Sequence, residues 1–356
     1  MTTSVIVVGA GIVGACVAYQ LAHDGAAVTL LDRGPAPGAG VTGSSFAWIG
    51  DGIGGHWPGG AADLRPHILA DYRRLAADVP AIPIRWCGSL SWPPASLPDE
   101  RRDDRPDAPP NDRPDAPPNE QPDQRPNEQP DQRQDESDPG YHWVGAREIA
   151  ALEPNLRDVP ARAMHSPTDG TVDAAGMSAA LVEAAERRGT RVHLETTATA
   201  TTARTVTTDR GRLEADVVVL ATGAALTEMS PAVLIRASAP PGLVRTIVSA
   251  PDFEVREGRP GELLFAAEAG QDPEAVVARF RAAWAGAEQV RVLSWAVGSR
   301  PMPPRGPIIG YAADGTYTAV MHSAVCLAPT AARLIAQELL TGNPAPELAD
   351  CRHPHD

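Results

Sequence analysis

No lysine occurs anywhere in the chain; all 31 basic residues are arginine. That removes two chemistries outright. No side-chain amine is available to form a Schiff base with pyridoxal phosphate or a carbonyl substrate, and no Walker-type lysine can reach a phosphate. Cysteine is scarce as well. Cys16, Cys87, Cys326 and Cys351 are scattered with no CxxC pair, which gives neither a disulfide framework nor a zinc site, and no metal is expected. No apolar run approaches the ~20 residues that a membrane-crossing helix needs. The first residues run straight into a strand and a glycine loop rather than a signal peptide, so a soluble, cytoplasmic protein is expected. A basic face is missing too: the net charge of −14 excludes nucleic acid as a partner.

Much of that charge is local. Residues 99–138 hold 14 acidic residues against 6 arginines, so the remainder carries only about −6, too mild a balance to imply an electrostatic function. Residues 105–136 are four octads, RPDAPPND, RPDAPPNE, QPDQRPNE and QPDQRQDE, with no aromatic residue and no aliphatic one beyond two alanines. Such a stretch cannot bury enough apolar surface to offset its ordering entropy. A period of eight without a hydrophobic position has nothing to stack into a solenoid. Residues 98–139 are therefore expected to be a disordered insertion.

What is present is a pattern of strands and helices. Residues 5–8 form a β-branched run that reads as a buried parallel strand. A glycine loop follows, then helical spacing over residues 16–23 and a second strand over 28–31. Further helices are expected over residues 64–77, 174–188, 273–284 and 329–340. Strands are expected within 82–92, 191–194, 196–208, 215–220, 243–267, 290–297 and 317–321. The order suggests a nucleotide-binding layer built from both chain ends and the segment near 165–224, with an antiparallel β region inserted.

The loop Gly9-Ala10-Gly11-Ile12-Val13-Gly14 is a GxGxxG in the right setting: a strand before it, a helix after it, and Asp32 closing the second strand. Gly9 allows the tight turn, Gly11 lets backbone approach a pyrophosphate, and Gly14 permits close helix–strand packing. The helix N-terminus offers unpaired N–H groups to phosphates. Asp32, with Arg33 beside it, lies 18 residues after Gly14, where a carboxylate can accept ribose hydroxyl bonds. A dinucleotide is expected. Two further features point to which one: Val217-Val218-Val219-Leu220-Ala221-Thr222-Gly223, and the stretch from Met321-His322-Ser323 to Pro329 ahead of a helix.

With those motifs in that order, the sequence resembles the glycine/D-amino-acid oxidase superfamily of FAD-dependent oxidoreductases over nearly all of the chain except the octads. The resemblance implies an α/β fold: a Rossmann-type FAD-binding domain with an antiparallel substrate domain roofing the flavin. It implies FAD as cofactor. It matches Ser44 and Ser45 to the loop lining pyrophosphate and flavin, Ala198 to the residue whose backbone meets adenine, and Thr222 and Gly223 to positions beside the cofactor. It also matches the loop of His322, Ser323, Ala324, Val325, Cys326 and Leu327 to the flavin pyrimidine edge, where N–H groups stabilise negative charge. Arg300, in Ser299-Arg300-Pro301, matches the arginine that pairs with a substrate carboxylate. His322 is a candidate for tuning protonation, and His56 and Trp57 are candidate pocket residues. The expected division is 1–97 (FAD unit and start of the substrate domain), 98–139 (insertion), 140–230 (return to the FAD domain), 231–300 (substrate domain) and 301–356 (C-terminal closure).

The function so implied is oxidation of the C–N bond of a small amine or amino acid by hydride transfer to flavin, with oxygen or another electron acceptor completing the cycle. Departures from the family pattern are visible. Ala324 stands where glycine is usual, Arg305 replaces a usual acid, and the lysine that promotes oxygen reaction in sarcosine-oxidase-like relatives has no counterpart. No second complete GxGxxG is present for a nicotinamide domain. A non-catalytic flavoprotein with an acidic arm and a nicotinamide-reduced flavin enzyme stay open as alternatives.

Overall fold

The β-branched run that opens the chain becomes the Ser4–Val8 strand of a six-stranded sheet. The computed structural model describes residues 2–50, 58–92, 140–223 and 226–353. The octad segment, His56 and Trp57 lie outside the described residues. Ser4–Val8 pairs in parallel with Ala27–Leu31 on one side and Val217–Leu220 on the other. Arg191–His193 and Tyr317–Val320 extend the parallel set, and Ile308–Tyr311 closes one edge antiparallel. Strands buried on both faces read as continuous apolar runs, which is why Val5 to Val8 show no alternation. The Ile12–His23, Ala174–Glu186 and Ala324–Thr341 helices pack on this layer around the largest apolar core.

The second layer is an eight-stranded sheet. Its order runs from Arg291–Pro301 at one edge through Met229–Ser238, Glu262–Glu268, Phe253–Glu257, Ile247–Ala250, Ser89–Ser91 and Arg162–Ser166 to His142–Gly145 at the other. All its pairings are antiparallel except Ile247–Ala250 with Ser89–Ser91. One face packs on the Pro273–Ala283 helix, with Phe265, Phe280 and Trp284 at the centre of a second core. The architecture is the expected one, a Rossmann-type layer beside an antiparallel substrate layer. One boundary differs: residues 142–166 supply two strands of the large sheet rather than a return to the nucleotide layer. Their short alternating runs carry Val144 and Ala163 into the second core.

Two helices differ from expectation for local reasons. The expected helix over residues 64–77 is three pieces, Ala61–Leu64, a tight turn at Arg65–His67, and Ile68–Asp78. Pro66 has no N–H to continue a regular ladder. The expected helix starting at Pro329 starts instead at Ala324 and passes through the proline. Pro329 cannot donate to the Val325 carbonyl one turn back, and the buried Tyr72 hydroxyl donates to that oxygen in its place. Tyr72→Phe leaves the carbonyl unsatisfied in the core, so a loss of about 1–3 kcal/mol is expected, read as a lower urea midpoint.

Candidate active site and cofactor cradle

The carboxyl ends of Ser4–Val8, Val217–Leu220 and Tyr317–Val320 meet along one crest of the parallel sheet, and the predicted cofactor residues gather there. Gly9 has a φ of 109°, and its N–H donates to the Leu31 carbonyl at 2.7 Å. A Cβ at Gly14 would stand 1.8 Å from the Gly9 oxygen, so only glycine lets the helix approach so closely. Above Gly11 the space is open: a Cβ there would meet only Thr42 Oγ1, at 3.2 Å. The Thr42 hydroxyl accepts from the Ile12 N–H. Gly11, the N-cap, has no side chain and Thr42 takes only the Ile12 N–H, so the N–H groups of Val13 and Gly14 are presented at the loop.

Asp32 does more than await a ribose. Its carboxylate accepts from the Ala10 N–H and the Gly34 N–H, both at 2.6 Å, bracing the glycine loop from behind. Each oxygen keeps a second lone pair for a hydroxyl. Arg33 beside it is exposed. The Thr196 N–H donates to the Asp32 carbonyl, which brings Ala198 to the same end of the sheet. Ser44 lies directly under Gly298 of the large sheet, and Ser45 Oγ accepts from Ala47 N–H, whose residue has a φ of 56°.

The C-terminal loop supplies a second uncapped helix start. Ser323 is the N-cap of the Ala324–Thr341 helix and itself takes the left-handed conformation, φ 52°. Ala324 is the first helical residue, so its methyl costs no backbone strain; the left-handed residue is Ser323. Cys326 Sγ donates to the Trp48 carbonyl at 3.0 Å, tying this loop to the Ser44–Ser45 segment. Leu327 does not reach the cofactor face. Its side chain is fully buried in the core and its N–H is spent on the Ser323 carbonyl.

Arg300, His322 and Gly223 converge. A Cβ on Gly223 would lie 3.3 Å from Pro301 Cγ. Burial, and secondarily the Arg300 charge, hold His322 below the ordinary histidine value, with the Pro301 backbone opposing them. His322 is therefore neutral at pH 7. The unfolded chain takes up its proton first as pH falls, so this residue makes stability decline from pH 6.5 downward. His322→Gln is expected to flatten that part of the slope in thermal melts between pH ~5 and ~7.5.

Strand parity shows a roof that the sequence did not. Arg300, Gly298, Arg236, Glu254 and Arg256 lie on the sheet face turned toward the cofactor loop. Arg256 is 3% exposed and donates to the carbonyls of Phe46, Val172 and Glu257, which locks the loop to the roof. Glu254 accepts from Ser249 Oγ at 3.2 Å; burial raises its carboxyl above the usual range, and Arg300 partly opposes the shift. A cavity of about 250 Å³ opens between the roof and the loop, lined by Thr42, Ser45, Arg85, Arg236 and Arg256. Arg300 and His322 are not among its lining residues. Behind the loop, buried Asp169 gathers Trp48 Nε1, Ser89, Ser166 and Tyr141 and so fixes the strand that carries Trp48.

A glycine-loop crest with two helix N-termini, facing a charged antiparallel roof, defines a Rossmann-type dinucleotide-binding protein. The family described as FAD dependent oxidoreductase matches residues 4–338, and the chain belongs to it. Its cofactor is FAD, and the open Gly11, the Val13 and Gly14 N–H groups and the Asp32 lone pairs fit one. Among solved structures, the chain is similar to glycine oxidase from Geobacillus kaustophilus, with 20% identity, 100% of both chains covered and a TM-score of 0.76. It is similar to an L-amino acid deaminase from Proteus vulgaris lacking its specific insertion sequence, with 17% identity, 99% and 93% covered and a TM-score of 0.76. It is also similar to L-proline dehydrogenase from P. horikoshii, with 16% identity, 98% and 96% covered and a TM-score of 0.72. At these identities the likeness establishes the fold. No curated protein matches the chain significantly by sequence. Among the described residues, no helix is long and apolar enough to cross a membrane.

Proposed function

We propose that this protein oxidises the C–N bond of a small amino acid, using FAD. The observation that carries the reading is the exposed Arg300 guanidinium on the roof, beside the half-buried neutral His322 and within electrostatic reach of Glu254. When bound, FAD supplies the two-electron acceptor for the hydride that leaves the substrate α-carbon. Arg300 takes the substrate carboxylate in a bidentate pair, which fixes the α-carbon over the crest. Glu254, across the same roof face, accepts an N–H of the amine. His322 stays neutral and adds no second positive charge against the cationic imine that the substrate becomes. Water hydrolyses that imine to a 2-oxo acid and ammonia. Oxygen or another acceptor takes the electrons afterwards, and the missing lysine favours an acceptor other than oxygen. The amino-acid chemistry named for the three solved relatives supports the substrate class.

The test is product release. Holoprotein is incubated with glycine, D- and L-amino acids and N-methyl amines in the presence of an artificial electron acceptor. Equal amounts of 2-oxo acid and ammonia from one of them are expected. Acceptor reduction driven only by a nicotinamide would replace this reading with a nicotinamide-reduced flavin enzyme.

A further inference from the structure

At the free edge of the large sheet, opposite the edge that carries Arg300, three side chains converge that the redox chemistry does not use. His142 and His165 are direct cross-strand partners on His142–Gly145 and Arg162–Ser166. Glu148 lies in the first turn of the Ala146–Leu152 helix, which leaves the first of these strands without a loop. One ring nitrogen from each histidine and one carboxylate oxygen all lie within 4.8 Å of one another. The rings meet edge to face at 5.3 Å. A tetrahedral zinc site spaces its ligand atoms by about 3.3–3.6 Å. Closing the gap therefore asks for a movement of about 1 Å from His142 and Glu148, both exposed.

The two histidines are prepared in different ways. His142 Nδ1 stands 2.9 Å from the Gly140 carbonyl. With Nδ1–H as the donor, Nε2 is left bare, which is how histidine ligands are oriented in metal sites. His165 is 8% exposed, and its Nδ1 is buried with no hydrogen-bond partner among the described residues. An unsatisfied buried nitrogen is costly, and coordination through it would remove the cost.

We propose that His142, Glu148 and His165 bind a divalent transition metal of borderline softness, zinc by preference, with water completing the coordination. Two imidazoles and one carboxylate suit zinc and its neighbours and disfavour calcium and magnesium, which take oxygen ligands. The ion joins two strands and a helix at the point where the chain re-enters the sheet at Gly140. Its distance from the Arg300 edge makes it a structural clamp. Cysteine pairs and familiar histidine spacings give no sign of it, because the ligands meet through strand pairing.

Tag-free holoprotein, stripped with a chelator, is titrated with zinc chloride by calorimetry, with calcium chloride in parallel. One zinc ion per chain at micromolar or tighter affinity is expected, with a melting temperature raised by several degrees and the flavin spectrum unchanged. His142→Ala and Glu148→Gln change exposed side chains, and each is expected to weaken zinc at least tenfold. Absence of saturable zinc binding overturns the proposal. So does binding that both variants leave unchanged, which would place the ion elsewhere on the chain.

Discussion

Gly14→Ala strips the protein of flavin. The new methyl would stand 1.8 Å from the Gly9 carbonyl oxygen, a backbone atom that cannot rotate aside. Gly9 cannot retreat either, because its N–H is held by Leu31 and its own Cβ direction points at the Ala221 oxygen, 2.6 Å away. The loop must move, and with it the N–H groups that Asp32 braces from behind. Overpacking of this kind costs about 3 kcal/mol, equivalent to roughly a hundredfold weaker FAD binding. The measurement is the ratio of visible to ultraviolet absorbance after purification, followed by FAD titration of the apoprotein. A variant that retains full flavin occupancy would show that the crest is not the cofactor site.

Arg300→Ala removes the proposed carboxylate partner, together with the charge that Arg300 directs at His322 and Glu254. Arg300 is exposed on an edge strand in the absence of substrate, so folding and flavin content are expected to stay as they are. Loss of one partner of a desolvated charge pair costs about 2–5 kcal/mol, which predicts a fall in kcat/KM of roughly 10²–10³-fold or more for an amino-acid substrate. Arg300→Lys keeps the charge but not the planar fork, and recovers only part of the loss. The decisive comparison is the matching amine without its carboxylate. Its turnover should be low in the parent and no lower in the variant, and an equal loss on both substrates would remove Arg300 from carboxylate binding.

The sequence made the nucleotide layer readable because its signals are local. A β-branched run, three glycines at fixed spacing and an acid at the next strand end lie within 32 residues, and the structure assembles them as adjacent strands. Ser44, Thr222 and Ser323 were reachable only through family resemblance, since nothing local marks them. The roof was not readable at all. Arg236, Glu254 and Arg256 share a face only because three antiparallel strands pair in one register, and a single buried arginine looks in sequence like any other of the 31. The Ala324 helix start was hidden by Pro329, whose disruption is offset by a hydroxyl from Tyr72, distant in sequence. Residues 142–166 were misplaced because short strands beside a low-complexity segment carry too few residues to show a period.

The most direct measurement of the central claim is anaerobic mixing of the holoprotein with a panel of small amino acids, watching flavin absorbance. The account predicts that one of them bleaches the flavin, with one 2-oxo acid and one ammonia formed per flavin reduced. Flavin that stays oxidised with every amine, yet bleaches with a nicotinamide or with no physiological donor at all, would contradict it.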